Sequence, residues 1–196
     1  MPSETLGPFD IDRVYRAIER QRERLARAAR AFEESAIDYA VCGDHAVAYW
    51  TSRVDETAVR FTGRIEILLR RDDLIKATSC LAAAGLHYRN VDGANAFLDE
   101  SGSNIRHAVH VLFAGETLRK ADRQPAPLIH VAEPIGEFRV LPMQKLVEML
   151  LVSFRSVDRM HLRDLLDVGL IDAGWTSRLP PELAARLQTL LDTPDG

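Results

Sequence analysis

The chain has 196 residues, of which 46% are hydrophobic and 28% are charged, and its formal net charge is -4 at pH 7. This composition is typical of a globular domain with one hydrophobic core, and it excludes wholesale disorder. No run of about 18 apolar residues predicts a membrane span, and the negative charge argues against duplex DNA as the main partner.

The N-terminus and the cysteines indicate the compartment. The first twelve residues are acidic and lack the apolar stretch of a secretory signal. Cys42 and Cys80, the two cysteines of the chain, fit a reducing environment better than a disulfide scaffold. We therefore expect a cytoplasmic protein with no membrane partner.

A long amphipathic helix is predicted over residues 10–36, because its apolar residues recur at helical spacing. Seven arginines lie among four glutamates in this segment. This mixture favours a solvated charged face, and a phosphate-facing patch is the alternative.

Short strands and helices are predicted to alternate through the middle of the chain. The predicted strands cover residues 38–42, 64–70, 86–90, 95–99 and 107–113. The predicted helices cover residues 45–52 and 72–84, with Asp44 and Asp72 as their N-caps and Gly43 and Gly85 at neighbouring turns. Residues 53–60 form a polar loop, and Asp92-Gly93 is a strong hairpin turn signal.

The last part of the chain is predicted to be mainly helical. Three prolines mark residues 116–137 as a connecting loop, and residues 138–141 are extended. The predicted helices run from Pro142 to about Phe154, from 157 to 168 before Gly169, and after Pro180-Pro181.

This order predicts an α/β (α+β) fold with a small mixed β-sheet, a long N-terminal helix and a C-terminal helical subdomain. We expect three segments. Residues 1–36 form a helix that packs on the core, residues 37–141 form the α/β core, and residues 142–196 form the helical subdomain.

Several common functional signatures are absent from the sequence. There is no G-x-G-x-x-G, no G-x-x-x-x-G-K-[ST], no C-x-x-C, no H-E-x-x-H and no G-x-S-x-G. His107 and His110 are three apart on a predicted strand, so they point to opposite faces and cannot chelate one ion as a pair.

The remaining pattern is a strand, a glycine turn, a helix and then a charged alternating strand. Gly43 at such a turn brings backbone N–H groups toward an anion, and the helix dipole adds positive potential. Two carboxylates at positions i and i+2 of a following strand share a face and could hold two metal ions about 4 Å apart for phosphoryl or nucleotidyl transfer. On the predicted strand over 64–70, Arg64 and Glu66 share a face.

The pattern resembles the nucleotidyltransferase superfamily with the minimal, polymerase-beta-like fold, and is most similar to the bacterial branch related to AbiEii-type toxins. The matching stretches are residues 39–47, 60–62, 64–74, 109–116 and 145–166. The resemblance implies NTP and Mg²⁺ as cofactors and an RNA or protein acceptor. It also implies a place in a toxin–antitoxin or phage-defence system, with an antitoxin partner.

The sequence departs from the family pattern at the metal site. The family has Asp-x-Asp where this chain has Arg64 and Glu66, and a guanidinium has no acceptor with which to bind a metal. The family has Gly-Gly or Gly-Ser where this chain has Gly43-Asp44, and the carboxylate of Asp44 should repel a triphosphate. The third acid would fall near His110, although imidazole is a poor ligand for Mg²⁺.

The candidate site residues follow from this comparison. The catalytic candidates are Glu66 and Arg64, the metal candidates are Glu66 and His110, and the nucleotide-binding candidates are Gly43, Asp44, Arg60, Thr62 and Lys145. Either Arg64 and Glu66 form an ion pair at the old metal position, or Arg60 and Arg64 bind a different anion. His161, Arg163 and Asp164 match a helix motif of the family and are interpreted as mainly structural.

Three hypotheses about function remain open. The first is a nucleotidyltransferase-like protein with a degenerate metal site, and the second is an active metal-dependent enzyme that transfers NMP to RNA or protein. The third is a non-catalytic partner-binding or homo-oligomerisation module that uses the helix over 10–36 and the C-terminal helices.

Overall fold

The computed structural model describes residues 11–60, 63–99, 104–129, 133–135 and 138–193. The helices are α1 (Ile11–Glu34), α2 (Gly43–Ser52), α3 (Leu74–Ala83), α4 (Met143–Ser153), α5 (Ser156–Asp167) and α6 (Pro181–Asp192). The strands are β1 (Tyr39–Cys42), β2 (Ile65–Leu69), β3 (His87–Val91), β4 (Ala94–Leu98), β5 (Val109–Phe113), β6 (Glu133–Ile135) and β7 (Phe138–Val140).

The strands of the described residues form one mixed sheet in the order β3-β4-β5-β2-β1-β7-β6. β2 runs antiparallel to β1 and parallel to β5, and β1 runs parallel to β7. The sequence-based prediction of a mixed α/β fold is therefore confirmed. The register sets Cys42, Glu66 and His110 side by side across three adjacent strands.

The predicted hairpin is confirmed at β3 and β4. Asp92 and Gly93 have φ angles of 50° and 82°, so both central residues of the two-residue turn are left-handed. This is the backbone of a type I′ turn, whose twist matches that of the flanking strands.

Helix α1 packs its C-terminal half on the sheet. Leu25, Ala28 and Phe32 are buried, and the Phe32 ring lies 5.1 Å from that of Tyr39. Near the other end, the side chains of Val14 and Tyr15 are exposed. The arginines of this helix are not all solvated, because Arg24 Nε donates to Asp99 Oδ2 at 2.7 Å.

One continuous core joins the N-terminal helix, the sheet and the C-terminal helices. It includes Phe32 of α1, Ile67 of β2, Leu146 of α4, Leu162 of α5 and Leu187 of α6. Among the described helices, none has the length and hydrophobicity needed to cross a membrane.

The region predicted as a loop over 116–137 contains β6, which the sequence analysis missed. Pro134 lies in this strand, and a proline cannot donate to a sheet ladder. The strand is at the edge of the sheet and pairs with β7, which is where proline is tolerated. Proline content alone therefore led to the wrong prediction for this segment.

Two predicted N-caps are also wrong. Helix α2 begins directly at Gly43 with Cys42 in the N-cap position, so Asp44 lies inside its first turn. Asp72 lies in a 3-10 turn over Arg71–Asp73, and Asp73 precedes α3 without a side-chain cap. The carboxylate of Asp44 does not cap α2 because it binds another helix, as described below.

Buried and exposed aliphatic residues of α3 test the packing of the core. Leu81 is 0% exposed and Ile75 is 83% exposed. We expect Leu81→Ala to lower the free energy of unfolding by about 2–5 kcal/mol and Ile75→Ala to change it by about 0.5 kcal/mol or less. Urea denaturation of both variants measures this, and equal effects would contradict the placement of α3.

Candidate functional site

A cavity of about 260 Å³ opens beside the N-terminus of α2. It lies between the sheet, helices α4 and α5 and a loop that contains residues 118–126. Four of the predicted site residues line it: Gly43, Asp44, Arg64 and Glu66. These four candidates therefore lie together, although they are separated by about 20 residues in the sequence.

Gly43 and Glu66 are in close contact at the base of this cavity. Gly43 has a φ of +58°, and a Cβ added at this position would overlap the Glu66 carboxylate. Only glycine combines this backbone conformation with the space that Glu66 occupies. The Glu66 carboxylate thus lies directly against the start of α2.

Arg64 and Glu66 form an ion pair. Arg64 Nε lies 3.2 Å from Glu66 Oε1, and the Glu66 side chain is 11% exposed whereas that of Arg64 is 46% exposed. Burial raises the pKa of Glu66, Arg64 opposes this rise, and Asp44 adds to it. Arg64 is therefore the principal favourable charge on a carboxylate that is costly to bury.

His110 is next to Glu66 in the register of β2 and β5. Paired residues on adjacent strands point to the same face, so the sequence-based placement of His110 beside Glu66 agrees with the sheet. Burial, followed by repulsion from Arg64, lowers the pKa of His110. His110 is not among the residues that line the cavity.

Asp44 binds helix α5. His161 Nε2 lies 2.7 Å from Asp44 Oδ1, and the Arg64 backbone N–H donates to Asp44 Oδ2 at 3.4 Å. His161 Nδ1 lies 4.0 Å from Asp164 Oδ2. His161 is 3% exposed, so this contact is buried where α2 meets α5.

Arg60, which is exposed, pairs with Asp164, the residue beside His161 on α5. Its Nε lies 3.1 Å from Asp164 Oδ1, and burial raises the pKa of Asp164 while Arg60 lowers it. Arg60 does not line the cavity. The pairing of His161 with Asp44 joins residues 117 positions apart, and no local sequence signal could have revealed it.

Two further site residues were missed. Arg155 Nε and Nη2 donate to the two oxygens of Asp158, at 2.9 and 3.1 Å, and the Arg155 backbone N–H donates to Asp158 Oδ2. Both residues line the cavity, and Asp158 is 4% exposed. The usual capping-box sequence has Ser or Thr at the N-cap and Glu or Gln three residues later, so Arg155 and Asp158 do not match that pattern.

Lys145, another nucleotide-binding candidate, does not line this cavity. Lys145 Nζ donates to Glu148 Oε2 at 2.7 Å, and both residues face a separate surface depression. Thr62 lies outside the described residues.

The side chains present do not fit two Mg²⁺ ions. Within residues 11–60, 63–99, 104–129, 133–135 and 138–193, no group of three His, Cys, Asp or Glu side chains has the spacing of a metal site. Glu66 is held by Arg64, and Asp44 is held by His161. A guanidinium offers no lone pair, and hard cations prefer several oxygen ligands.

Comparison with known proteins gives structural similarity only. No family model and no curated protein sequence matches the chain. The antibiotic-resistance factor ANT(2'')-Ia matches with a TM-score of 0.53 and 10% identity over 89% of this chain and 92% of its own.

Two Helicobacter pylori proteins are similar to the same extent. One, assigned as a nucleotidyltransferase, has a TM-score of 0.54 and 11% identity over 92% of this chain and 78% of its own. JHP933 has a TM-score of 0.53 and 14% identity over 92% of this chain and 76% of its own. The fold is that of the nucleotidyltransferases. At these identities the nucleotidyltransferase likeness concerns the fold and not the activity.

Substitution of Gly43 tests its contact with Glu66. We expect Gly43→Ala to lower the free energy of unfolding by about 2–4 kcal/mol, from backbone strain plus displacement of the Glu66 carboxylate. Gly169→Ala is the control, because Gly169 has a φ of +72° and nothing lies within 4 Å of an added Cβ. Its cost should be about 1–2 kcal/mol.

A double variant separates the two contributions. In a Glu66→Ala background, Gly43→Ala should cost no more than Gly169→Ala, because only backbone strain remains. Urea denaturation of all four proteins and the wild type gives the comparison. An undiminished cost in the double variant would show that Glu66 does not occupy this space.

The buried Glu66 also predicts a pH dependence. A carboxyl whose pKa is raised by folding contributes stability that is complete below its unfolded pKa and is lost as pH rises through its folded pKa. Relative to Glu66→Gln, the wild-type free energy of unfolding should therefore fall as pH rises from about 4.3 toward neutrality. Urea titrations at several pH values measure this difference. A difference that stays constant or increases as pH rises would contradict the prediction.

Proposed function

We propose that this protein binds a nucleotide in a nucleotidyltransferase-like fold whose two-metal catalytic site has degenerated. The ion pair of Arg64 with Glu66 carries the proposal, because the sequence resemblance implies that Arg64 stands where the family has its first metal-binding aspartate. The cavity beside this pair retains space for a small ligand.

Charge explains why this change affects catalysis. Two divalent ions bring four positive charges to the leaving phosphates, whereas the Arg64–Glu66 pair has no net charge. Loss of such stabilisation in the transition state costs several kcal/mol. Asp44 adds a further carboxylate at the helix N-terminus, where a phosphate would otherwise be favoured.

The presence of Arg64 in place of an acid does not prevent a small ligand from binding in the cavity. The cavity has an apolar wall that includes Leu118, Leu146 and Met149, and it also contains guanidinium groups. Apolar walls with a few polar groups are typical of sites for small molecules. A catalytically degenerate nucleotidyltransferase fold can therefore serve as a nucleotide sensor or as a partner-binding protein regulated by a nucleotide.

Metal binding tests the degenerate site. We expect the wild-type protein to show no Mn²⁺ binding in this cavity, because Glu66 is paired with Arg64, Asp158 with Arg155 and Asp44 with His161. Arg64→Asp should gain Mn²⁺ binding, since it places two carboxylates two residues apart, one directly before β2 and one within it. Titration calorimetry and electron paramagnetic resonance measure the gain.

Arg123→Asp is the matched control, because Arg123 is 78% exposed and does not line the cavity. It should not gain Mn²⁺ binding. Wild-type Mn²⁺ binding that is lost in Glu66→Ala would contradict the proposal and favour the active metal-dependent enzyme.

A role in a toxin–antitoxin or phage-defence system rests on the sequence resemblance alone. Induced expression in a bacterial host tests it, because a toxin should arrest growth and the product of a neighbouring antitoxin gene should restore it. Normal growth at high expression would remove this role without affecting nucleotide binding.

A further inference from the structure

We propose that the cavity binds a nucleoside monophosphate without a metal, with the phosphate held at the junction of α4 and α5 and not at the N-terminus of α2. This inference rests on the proposed nucleotide-binding function and specifies its ligand. The groups that would hold the phosphate are Arg119, Ser153 and Arg155, which all line the cavity.

The N-terminus of α2 is unsuitable for a phosphate. The Glu66 carboxylate lies against Gly43, and Asp44 is the next residue of the helix. Both carboxylates line the cavity, so an anion placed there would meet two like charges. These two carboxylates already lie at the positive end of the α2 dipole, where a phosphate would otherwise be placed.

Arg119 is the guanidinium that remains available. Of the three arginines that line the cavity, Arg64 is paired with Glu66 and Arg155 is paired with Asp158. Within the described part of the chain, Arg119 has no carboxylate within 4.0 Å and donates to Ser153 Oγ at 2.6 Å. A ligand anion would supply the missing counter-charge.

Ser153 adds a hydrogen-bond donor at the same point. Its Oγ accepts from Arg119 Nη1 at 2.6 Å and from Arg155 Nε at 3.1 Å. A hydroxyl has two lone pairs and one proton, so both lone pairs are occupied and the proton is left to donate. Two guanidiniums and one hydroxyl therefore present donors at this junction.

The size and wall of the cavity indicate the rest of the ligand. Leu118, Leu146, Met149 and Leu150 form an apolar surface beside the donors. At about 260 Å³, the cavity is slightly smaller than the range of about 300–1,000 Å³ that holds drug-sized ligands. A base and a ribose with one phosphate match this space better than a metal-bound triphosphate does.

Asp122 lies on the same loop as Arg119 and also lines the cavity. Its backbone N–H donates to the Arg119 carbonyl, so the two residues belong to one turn. Its negative charge opposes a phosphate at Arg119. Removal of this charge should therefore strengthen binding, whereas removal of the Arg119 charge should weaken it.

Calorimetric titration of the full chain tests the proposal. The probes are AMP, GMP, CMP and UMP in EDTA, each with its nucleoside and its triphosphate, the triphosphates also with Mg²⁺. We expect at least one monophosphate to bind in EDTA, more tightly than its nucleoside and its Mg²⁺-bound triphosphate. Tighter binding of the triphosphate with Mg²⁺ would overturn the proposal.

Variants then locate the phosphate. Arg119→Gln should weaken monophosphate binding about tenfold and leave nucleoside binding unchanged, and Asp122→Asn should strengthen monophosphate binding about two- to fivefold. Arg123→Gln should change neither, because Arg123 does not line the cavity. Unchanged thermal unfolding of each variant confirms that it is folded.

Two other outcomes overturn the inference in different ways. If a monophosphate binds equally well to Arg119→Gln but less well to Arg64→Gln, the phosphate lies near α2 and the proposed function still stands. If no nucleotide, nucleoside or triphosphate binds under any condition, both the inference and the proposed nucleotide binding are wrong.

Discussion

The burial of the Glu66 carboxylate against Gly43 is the constraint on which the candidate site depends. The Glu66 side chain is only 11% exposed, so its carboxylate requires a compensating charge, and Arg64 supplies it from two residues earlier in the chain. Residue 43 must be a glycine, because a Cβ there would overlap the Glu66 carboxylate. This glycine is the first residue of α2 and directly follows β1. The ion pair and the glycine together define the base of the cavity.

A series of contacts connects the start of α2 to helix α5. Asp44 follows Gly43 and binds His161, which lies between Asp44 and Asp164 on α5. The contact fixes α5 against α2 and so positions Arg155 and Asp158 on the cavity wall.

Much of the fold could be predicted because its signals are local. The hairpin follows from Asp92-Gly93, and most helices follow from periodicity and turn residues. Strand β6 was missed because an edge strand tolerates Pro134, which composition alone cannot reveal. The cap assigned to Asp44 was wrong because a distant histidine takes its carboxylate.

In the candidate site, too, some residues could be predicted from the sequence and others could not. The Gly43, Arg64 and Glu66 positions were found because the order of a strand, a glycine turn, a helix and an alternating strand resembles the family pattern. Arg119 and Ser153 were not found, because their contact joins a loop to the end of α4 across 34 positions. Charge pairing across such distances depends on packing that no local pattern encodes.

Label transfer tests the central claim most directly. The protein is incubated with α-labelled NTPs, Mg²⁺ or Mn²⁺, and total RNA or protein as acceptor. We expect no transfer above that of Glu66→Ala, because the Arg64–Glu66 pair excludes the metals that transfer requires. Robust transfer by the wild-type protein that Glu66→Ala abolishes would contradict a degenerate site.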